Sequence, residues 1–404
     1  MKVFLITSKL SFKTGGGSII EMDLTARELQ RLGNDVTVIT IFSQHNEILK
    51  PLPYKVIEEQ IKSGKQLDIL FGLLRILRKY SNKADAFHID GFMLYGGGLY
   101  RRLGGKVPIL CFINRELTAW PDETNSFFQN SAASSFLNGL KRKIRWYIER
   151  HIFIYFANGL DFATFENPFL EQKYVDFGLK LKSVGKTLII GGPYPFSKVM
   201  KENGITEDSY RKRNKKTGKI TLLFSGRMVA GKGFDFIITA FSKIKNKDNF
   251  RLVLTGSGPE ENLVRQLIKD LNLDSYVELP GWISRAELND ILKKTDIFIQ
   301  PLWRPFLSSL ALSEAMAFGI PSIVPSGGGL AFVAGDSCLT FKPGNVDDLA
   351  AQLEKLGSDY DLRAELSHQC YIRLNKEDVS YEKTMPKISK ILQDLAAKSK
   401  KKHL

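Results

Sequence analysis

The chain has 404 residues, of which 43% are apolar and 25% are charged, and its formal net charge is +15. This length exceeds one ordinary hydrophobic core and predicts two domains of roughly 200 residues each. The sequence contains no uninterrupted apolar run of about 18 residues, so we predict no membrane-spanning helix.

The positive charge indicates an anionic partner. It is spread over the chain, with 26 Lys and Arg against 18 Asp and Glu in residues 1–195 and 32 against 25 in the remainder. The sequence has no zinc-finger spacing, RNP-like aromatic pattern or basic leucine zipper, so we expect no nucleic-acid partner. Phosphorylated substrates or an anionic membrane surface fit the charge better.

The cysteines and the N-terminus bear on the compartment. Cys111, Cys338 and Cys370 are widely spaced and form no C-x-x-C pair. They predict neither a disulfide framework nor a zinc site, and they are typical of a reducing compartment. The opening "MKVFLITSKLSFK" lacks a small-residue cleavage site and is interpreted as a first strand. We therefore expect a cytoplasmic protein, either free or peripheral at the inner face of the membrane.

Strand-like and helix-like patterns alternate from the N-terminus. "KVFLIT" (2–7) predicts a strand, "SIIEMDLTARELQRLGN" (18–34) a helix and "DVTVITIF" (35–42) a second strand. Together they predict a β-α-β unit and hence a parallel sheet. Further strands are predicted at 86–89, 107–113, 160–165 and 187–190.

The segment 201–219, "KENGITEDSYRKRNKKTGK", is polar and lacks periodicity, so it is interpreted as a linker or a solvated segment. The alternation restarts after it and continues through "PSIVP" (321–325). We therefore predict an α/β protein with two Rossmann-like domains facing a central cleft. The predicted divisions are an N-terminal acceptor-side domain (1–198), a nucleotide-sugar-binding domain (199–386) and a C-terminal helix with a basic tail (387–404).

The C-terminal segment "YEKTMPKISKILQDLAAKSKKKHL" (381–404) predicts a helix with a kink at Pro386. Its Lys-rich end is most simply a frayed, solvated terminus. A return of this segment to the first domain is the alternative.

The strongest local signal is "FSGRMVAGKGFDF" (224–236), where a predicted strand ends and a helix begins. Arg227 and Lys232 lie in this turn among glycines, including Gly226. A guanidinium, an ammonium and a helix N-terminus together predict a diphosphate site. The alternative is a pair of ordinary solvated charges.

Other turns at strand ends carry glycine. "TGGGS" (14–18) is either a phosphate-facing turn or a flexible loop, and it is not a G-x-G-x-x-G fingerprint. "TGSGPE" (255–260) and "LPGWIS" (279–284) are also consistent with ordinary turns. In these two turns glycine lets the backbone line a pocket, and Trp282 is a candidate contact for a base.

The segment "SSLALSEAMAFG" (308–319) predicts a helix that begins at the same edge of the sheet. The backbone amides near Ser308, Ser309 and Leu310 are candidate phosphate contacts. Glu314 lies about one and a half turns into this helix. Two ribose hydroxyls would supply the partners that a semi-buried carboxylate needs.

These motifs resemble, in order, those of retaining glycosyltransferases of family 4. The similar segments are "SGRMVAGKG", "TGSGPE", "VELPGWIS", "DIFIQP" and "SEAMAFGIPSIVPSGGG", and "TGGGSIIEMDLTARELQRLGNDVTVIT" resembles the family's opening β-α-β unit. The resemblance covers nearly the whole chain and is more specific in the C-terminal half. It implies a GT-B fold in which the second domain holds most of the nucleotide-sugar.

The resemblance implies roles for individual residues. Arg227 and Lys232 would hold the donor diphosphate, and Glu314 matches the second acid of the family's E-x7-E motif, which binds the ribose. The remaining donor-site candidates are Gly15, Gly16, Gly17, Gly226, Gly256, Trp282, Ile283, Arg304, Phe306, Ser308, Ser309 and Leu310.

The sequence departs from the family pattern at two places. The first acid of E-x7-E is replaced by Phe306, or by Arg304 if two extra residues are allowed. The family's cleft histidine is replaced by Asn114, which leaves His88 as the other acceptor-side candidate, although a lone histidine is more often structural. The donor therefore has fewer or unusual hydroxyls, or carries an acid that Arg304 pairs with, or the chain no longer catalyses.

The segment "KRKIRWYIERHIFIYF" (141–156) combines five basic residues with aromatic and aliphatic residues at helical spacing. It predicts either a helix that lies on an anionic membrane or a helix that packs Ile148, Ile152 and Tyr155 on the sheet.

From these observations we expect a glycosyltransferase that moves a sugar with retention from a nucleotide-sugar, most simply a UDP-sugar, to a glycan or lipid-linked acceptor of the cell surface. No cofactor and no metal are expected, because Arg227 and Lys232 would supply the positive charge that Mg²⁺ otherwise supplies. The alternatives are a non-catalytic glycosyltransferase-like subunit and a GT-B sugar-nucleotide epimerase.

Overall fold

The computed structural model describes residues 1–12, 17–114, 136–180, 188–189, 194–211, 218–301 and 309–401. Only the backbone is described for residues 136–140, 142 and 188–189. The described residues fall into two compact units. Unit 1 contains those up to residue 195 together with 377–401, and unit 2 contains those between 196 and 376.

Unit 1 is built on a parallel sheet with the strand order β3-β2-β1-β4-β5-β6-β7. Its central strands are buried along their whole length, as expected for a parallel sheet covered on both faces. The strands are β1 (Lys2–Thr7), β2 (Asp35–Thr40), β3 (Lys55–Glu58), β4 (Ala86–Asp90), β5 (Ile109–Ile113), β6 (Phe162–Phe165) and β7 (Leu188–Ile189).

The helices of unit 1 begin where strands end, as β-α-β connections require. They are α1 (Gly17–Arg31), α2 (Gln66–Tyr80), α3 (Leu94–Arg102), α4 (Phe136–Ile148), α5 (Ile154–Ala157) and α6 (Pro168–Asp176). A π-helical segment, Glu149–Phe153, joins α4 to α5.

Unit 2 repeats the same construction with the strand order β10-β9-β8-β11-β12-β13, again parallel throughout. A hydrophobic cluster of this unit is rich in phenylalanine and branched aliphatic side chains, and its strand residues lie on one face of the sheet. The strands are β8 (Ile220–Ser225), β9 (Phe250–Thr255), β10 (Val277–Gly281), β11 (Ile297–Ile299), β12 (Ser322–Pro325) and β13 (Cys338–Phe341).

The helices of unit 2 cover both faces of this sheet. They are α7 (Phe196–Glu202), α8 (Glu207–Arg211), α9 (Phe234–Ser242), α10 (Glu261–Asp270), α11 (Arg285–Lys294), α12 (Leu310–Ala317), α13 (Gly328–Ala334), α14 (Val346–Ser358) and α15 (Tyr360–Leu374). The predicted α/β class with two Rossmann-like domains is therefore confirmed.

Of the two alternatives for residues 201–219, a linker is wrong for the described part of this segment, whereas most of the described residues are exposed, as expected for a solvated segment. It contains the end of α7 and the whole of α8. Tyr210 of α8 is fully buried and its hydroxyl donates to the Ala317 carbonyl at 2.6 Å. A single aromatic anchor in a polar segment produces no helical periodicity, which is why the sequence pattern missed it.

The last helix, α16 (Tyr381–Lys401), belongs to unit 1 and packs on α1. The predicted domain boundary after residue 386 therefore differs from the observed change at residue 377. Pro386 lies inside α16 without ending it. The Lys-rich end is helical as far as Lys401 and is not frayed. Lys400 pairs with Asp85 at 2.8 Å, and the Ser399 hydroxyl donates to the Lys106 carbonyl at 2.6 Å.

Within the described residues, no helix has both the length and the apolar character needed to cross a lipid bilayer.

Candidate functional site

The strand order of unit 2 reverses between β8 and β11. From β8 the chain proceeds to β9 and β10 on one side, and then returns to place β11 on the other side. At such a reversal the connections from the two neighbouring strands run in opposite directions, which leaves a crevice beyond the carboxyl ends of the strands. Ligands of open α/β sheets bind in this crevice. The turn after β8 carries Arg227 and Lys232, and Gln300 directly follows β11 on the other side.

Backbone hydrogen bonds join the ends of β8, β9 and β10 into one surface. The Gly226 amide donates to the Thr255 carbonyl at 3.1 Å, and the Gly256 amide donates to the Gly281 carbonyl at 2.8 Å. Gly256 has φ +120°, and a Cβ there would overlap the Gly226 carbonyl oxygen. The close approach of these two turns therefore requires glycine at position 256.

The turn after β8 places its two cations at the start of α9. Gly233 is the N-cap of α9 with φ +84°, and a Cβ there would meet Pro301 at 2.7 Å. Arg227 is exposed and Lys232 is half-buried. A guanidinium and an ammonium beside the N-terminus of a helix suit an anion of high charge density, such as a diphosphate.

Trp282 and Ile283 follow β10 directly. Trp282 is 69% exposed, which is unusual for so large an apolar side chain in this unit. The next helix, α11, begins with a complete capping box in which Ser284 accepts from the Glu287 amide and Glu287 accepts from the Ser284 amide. This cap fixes the direction of the chain between Trp282 and α11.

The side chain of Gln300 lies between the end of β11 and the start of α12. Its amide nitrogen donates to the Ser309 hydroxyl at 2.8 Å, and its buried carbonyl oxygen has no hydrogen-bond partner within the described part of the chain. Ser309 is the N-cap of α12, and its own side chain makes no capping hydrogen bond. Ser309 and Leu310 are both half-buried at this helix N-terminus.

Glu314 forms an ion pair with Arg285 of α11. The Glu314 side chain is only 11% exposed, whereas that of Arg285 is 56% exposed. The first residue of α11 is thereby linked to the middle of α12. The sequence interpretation proposed that ribose hydroxyls satisfy this carboxylate, and it missed the arginine.

Arg285 did leave a signal in the sequence. It is the first residue of α11, where a positive charge is unfavourable because the helix N-terminus already carries partial positive charge. A cation at that position needs a compensating acid from elsewhere in the fold. A search for such a misplaced charge could have found the pair.

Several predicted site residues lie outside the described residues. These are Gly15, Gly16, Arg304, Phe306 and Ser308. Gly17 is described and begins α1 as an exposed residue. The donor-site roles of all these residues remain predictions.

The strand order of unit 1 reverses between β1 and β4, and three carboxyl groups lie near this point. Asp90 ends β4 and accepts from the Thr7 hydroxyl of β1 at 3.2 Å. Glu21 of α1 accepts from the Asn114 amide nitrogen at 3.2 Å. Glu166 follows β6, and all three carboxyl groups are buried. The sequence interpretation selected Asn114 here but missed the acids, because no two of them are close in sequence.

Burial and, to a smaller degree, the charges of Glu166 and Asp90 raise the pKa of Glu21 well above its ordinary value. The hydrogen bond from Asn114 acts in the opposite direction and only partly offsets these effects. Burial likewise raises the pKa of the Cys111 thiol, which leaves it protonated and unreactive. We refer to Glu21, Asp90 and Glu166 as the acid cluster.

His88, the other acceptor-side candidate, lies within β4 and is 2% exposed. Burial lowers its pKa to about 4, so the imidazole is neutral at pH 7. Its Nδ1 atom has no hydrogen-bond partner among the described residues. A substrate at the strand ends would not reach the imidazole in this conformation, and its role in acceptor binding remains a prediction.

Within the described ranges, no group of three or more His, Cys, Asp and Glu side chains is arranged to hold a metal ion.

Residues 206–372 match the family model "Glycosyl transferases group 1". The chain is 30% identical over 165 residues to an uncharacterized glycosyltransferase of Methanocaldococcus jannaschii, which covers 40% of each chain. It is 29% identical over 126 residues to a GDP-mannose-dependent alpha-(1-6)-phosphatidylinositol monomannoside mannosyltransferase of Mycobacterium tuberculosis, covering 30% of this chain and 33% of the relative. The chain thus spans less than half the length of the curated relatives that it matches.

The fold matches solved structures over almost the whole chain. HepE of Anabaena in complex with UDP superposes with a TM-score of 0.66 at 15% identity, covering 98% of this chain and 100% of HepE. At this identity the similarity establishes the fold alone, which is of the GT-B type.

Proposed function

We propose, on the premise that residues 206–372 belong to the glycosyl transferases group 1 family, that this protein is a glycosyltransferase. It moves a sugar from a nucleoside diphosphate sugar to the hydroxyl of a glycan or lipid-linked acceptor, with retention at the anomeric carbon. The observation that carries the proposal is the chemistry of the β8/β11 reversal. Arg227 and Lys232 lie in the turn after β8, and Glu314 lies in α12, the helix that follows β11.

The two cations suit the leaving group. In the transfer, the bond between the anomeric carbon and the diphosphate oxygen breaks, a bond to the acceptor oxygen forms, and the acceptor proton leaves. Negative charge grows on the departing diphosphate, and Arg227 and Lys232 would stabilise it more strongly in the transition state than in the ground state. Glu314 would accept hydrogen bonds from the ribose hydroxyls and position the nucleotide.

A UDP-sugar is the first donor to test, because HepE, which shares the fold, was solved with UDP. Phe306 in place of an acid predicts a donor with fewer hydroxyls, and Arg304 predicts a uronic acid donor. The acceptor would meet unit 1, where Asn114 and the acid cluster offer amide and carboxyl groups to sugar hydroxyls. A lipid-linked acceptor agrees with the phosphatidylinositol monomannoside named for the mycobacterial relative and would place the enzyme at the cytoplasmic face of the membrane.

The test is turnover of a panel of UDP-sugars and GDP-sugars, including a UDP-uronic acid, with a membrane lipid extract as the acceptor source. We expect release of the nucleoside diphosphate only when acceptor is present, and an anomeric configuration in the product equal to that of the donor by NMR. Arg227→Ala should abolish the release.

Two outcomes would contradict the proposal. Binding of the nucleotide without turnover of any donor would favour a non-catalytic subunit. Release of free sugar or an epimer without acceptor would favour a sugar-nucleotide epimerase.

A further inference from the structure

The segment from α4 to α5 turns an apolar face outward. Six large apolar side chains are exposed on it. Trp146 (36%) contacts the Phe177 ring, and the exposures of the other five are 52% for Ile144, 61% for Tyr147, 37% for Ile148, 48% for Ile152 and 56% for Tyr155. Ile144, Ile148, Ile152 and Tyr155 follow one another at intervals of three to four residues, and Tyr147 directly precedes Ile148, so these five lie on one side of the helical segment. A helix on the surface of a protein in water ordinarily buries such a stripe. We call these five residues the outer face.

The structure contradicts one of the two sequence-based alternatives for this segment. The prediction that Ile148, Ile152 and Tyr155 pack on the sheet is wrong, because all three are exposed. The opposite side of the segment is the one that packs on unit 1, through buried Glu149 and Ile154.

This orientation is fixed by specific contacts. Glu149 accepts from the Tyr95 hydroxyl at 2.8 Å, and the Tyr95 ring stacks on Phe153 with a centroid separation of 5.2 Å. A Cβ at Gly98 of α3 would overlap the Phe156 carbonyl, so the backbones of α3 and α5 are in close contact. A buried hydrogen-bonded carboxylate and a close backbone approach both resist rotation of the helix about its axis. The outward position of the apolar stripe is therefore built into unit 1.

The charges around the outer face are positive. Lys141, Lys143 and Arg145 are exposed on α4, and the Arg102 guanidinium stacks on Tyr155 at 3.7 Å from the ring centroid. The one carboxylate in the sequence of residues 141–157 is Glu149, which is buried. Within residues 141–157, the exposed surface thus combines aromatic and aliphatic side chains with basic residues and no exposed carboxylate.

We propose that the outer face docks on an anionic lipid bilayer. Tyrosine and isoleucine side chains would enter the boundary between headgroups and acyl chains, and the flanking Lys and Arg would pair with anionic headgroups. A second copy of this chain fits less well, because a two-fold contact would bring like charges together. The docking itself does not depend on the proposed function. Its purpose does rest on that function, because docking would give the enzyme access to a lipid-linked acceptor.

The experiment is flotation of the full chain with vesicles of phosphatidylcholine alone and with vesicles that contain about one third phosphatidylglycerol. We expect binding to the anionic vesicles only, weakened when the NaCl concentration rises from 0.05 to 0.5 M. Each basic residue near an anionic surface contributes about fivefold to binding. Lys141→Glu with Lys143→Glu should therefore reduce the bound fraction by at least about tenfold.

Matched controls separate this face from the rest of unit 1. Ile144→Ser with Tyr147→Ser removes apolar groups from the outer face and should reduce binding about tenfold or more, since burial of apolar area drives insertion. Leu67→Ser with Phe71→Ser removes exposed apolar groups of α2 and should change nothing. Lys62→Glu with Lys65→Glu is the corresponding charge control.

Three results would overturn the proposal. One is equal binding to neutral and anionic vesicles, and the second is equal loss in the outer-face variants and their controls. The third is a concentration-dependent dimer that the outer-face variants dissolve, which would assign the face to a second copy. A UDP titration of the same preparations tests the proposed function separately, because the candidate nucleotide site lies in unit 2.

Discussion

The two units place opposite charges at the same topological position. In unit 2 the strand order reverses at β8/β11, and the turn there carries Arg227 and Lys232. In unit 1 it reverses at β1/β4, where the acid cluster is buried. The fold offers a crevice in both cases, and the side chains decide which chemistry it suits. Cations suit a diphosphate, whereas carboxyl groups suit hydroxyls.

The outer surfaces of the two units also differ. Of the seventeen large apolar side chains that are exposed in the described part of the chain, fourteen lie in unit 1 and three in unit 2. Isolated exposed apolar residues need no explanation, but a set concentrated in one unit does. Unit 1 is therefore the unit that we expect to contact a lipid surface.

The largest effect that we predict from a single substitution in unit 2 is that of Gly256→Ala. It adds a Cβ against the Gly226 carbonyl at a backbone angle that side chains rarely adopt. We expect a loss of about 3 kcal/mol in the free energy of unfolding, measured with urea. Gly281→Ala is the control, because φ is +74° there but a Cβ meets nothing within 4 Å. It should cost about 1 kcal/mol, and equal costs would contradict a close approach of the two turns.

The next effect concerns the Arg285–Glu314 pair. Arg285→Ala leaves Glu314 buried without its cation, and we expect UDP affinity to fall about tenfold, or about 1.4 kcal/mol. The loss should vanish for UDP analogues that lack the ribose hydroxyls, since Arg285 acts through Glu314. Arg285→Lys should restore part of the affinity. The control is Arg265→Ala, which removes an exposed arginine paired with Glu261 on α10.

An increase in UDP affinity in Arg285→Ala would contradict this positioning role. It would mean that the arginine competes with the ribose for Glu314.

The smallest effect concerns the acid cluster and pH. The pKa of Glu21 in the folded chain is raised above its ordinary value of 4.5. The folded state therefore holds the proton more tightly than the unfolded state, and the associated stability is lost as the pH rises above about 4.5. Glu21→Gln removes this loss, so we expect its Tm to exceed that of the wild type by about 3 °C at pH 8 and to match it near pH 4.

The control for this prediction is Glu365→Gln, which changes an exposed carboxylate. It should leave Tm unchanged at both pH values. A Tm of Glu21→Gln below that of the wild type at pH 8 would show that the Glu21 carboxylate is stabilised by partners that a glutamine does not satisfy.

The sequence predicted the elements of unit 2 from β8 to β12 in order, whereas β13 and the helices α13, α14 and α15 were not assigned. The strands and turns from β8 to β12 follow one another at short intervals, and glycine at Gly233 and Gly256 marks each change of direction. Such local signals are readable because backbone geometry demands particular residues at particular positions. The strand β3 and the helices α2 and α3 of unit 1 were not assigned. β3 has only four residues, and α3 contains three consecutive glycines, which are unfavourable in a helix.

Contacts between residues distant in sequence were the least predictable. The Arg285–Glu314 pair, the acid cluster and the docking of Lys400 on Asp85 each join segments that only the three-dimensional fold brings together. The sequence alone also does not show whether the apolar stripe of α4–α5 faces the protein interior or the solvent. An apolar stripe looks the same in sequence whether it packs inward or faces outward, and the buried carboxylate of Glu149 settles it.

The measurement that tests the central claim most directly is a calorimetric titration with UDP of the wild type, Arg227→Ala and the control Arg265→Ala. We predict a dissociation constant on the order of 1–10 μM for the wild type and for Arg265→Ala. Loss of a guanidinium that contacts a desolvated diphosphate costs about 2–5 kcal/mol, so Arg227→Ala should bind at least about 30-fold more weakly. Binding that is indifferent to Arg227, or no binding of UDP, GDP or ADP to the wild type, would contradict the assignment of the β8/β11 reversal as the donor site.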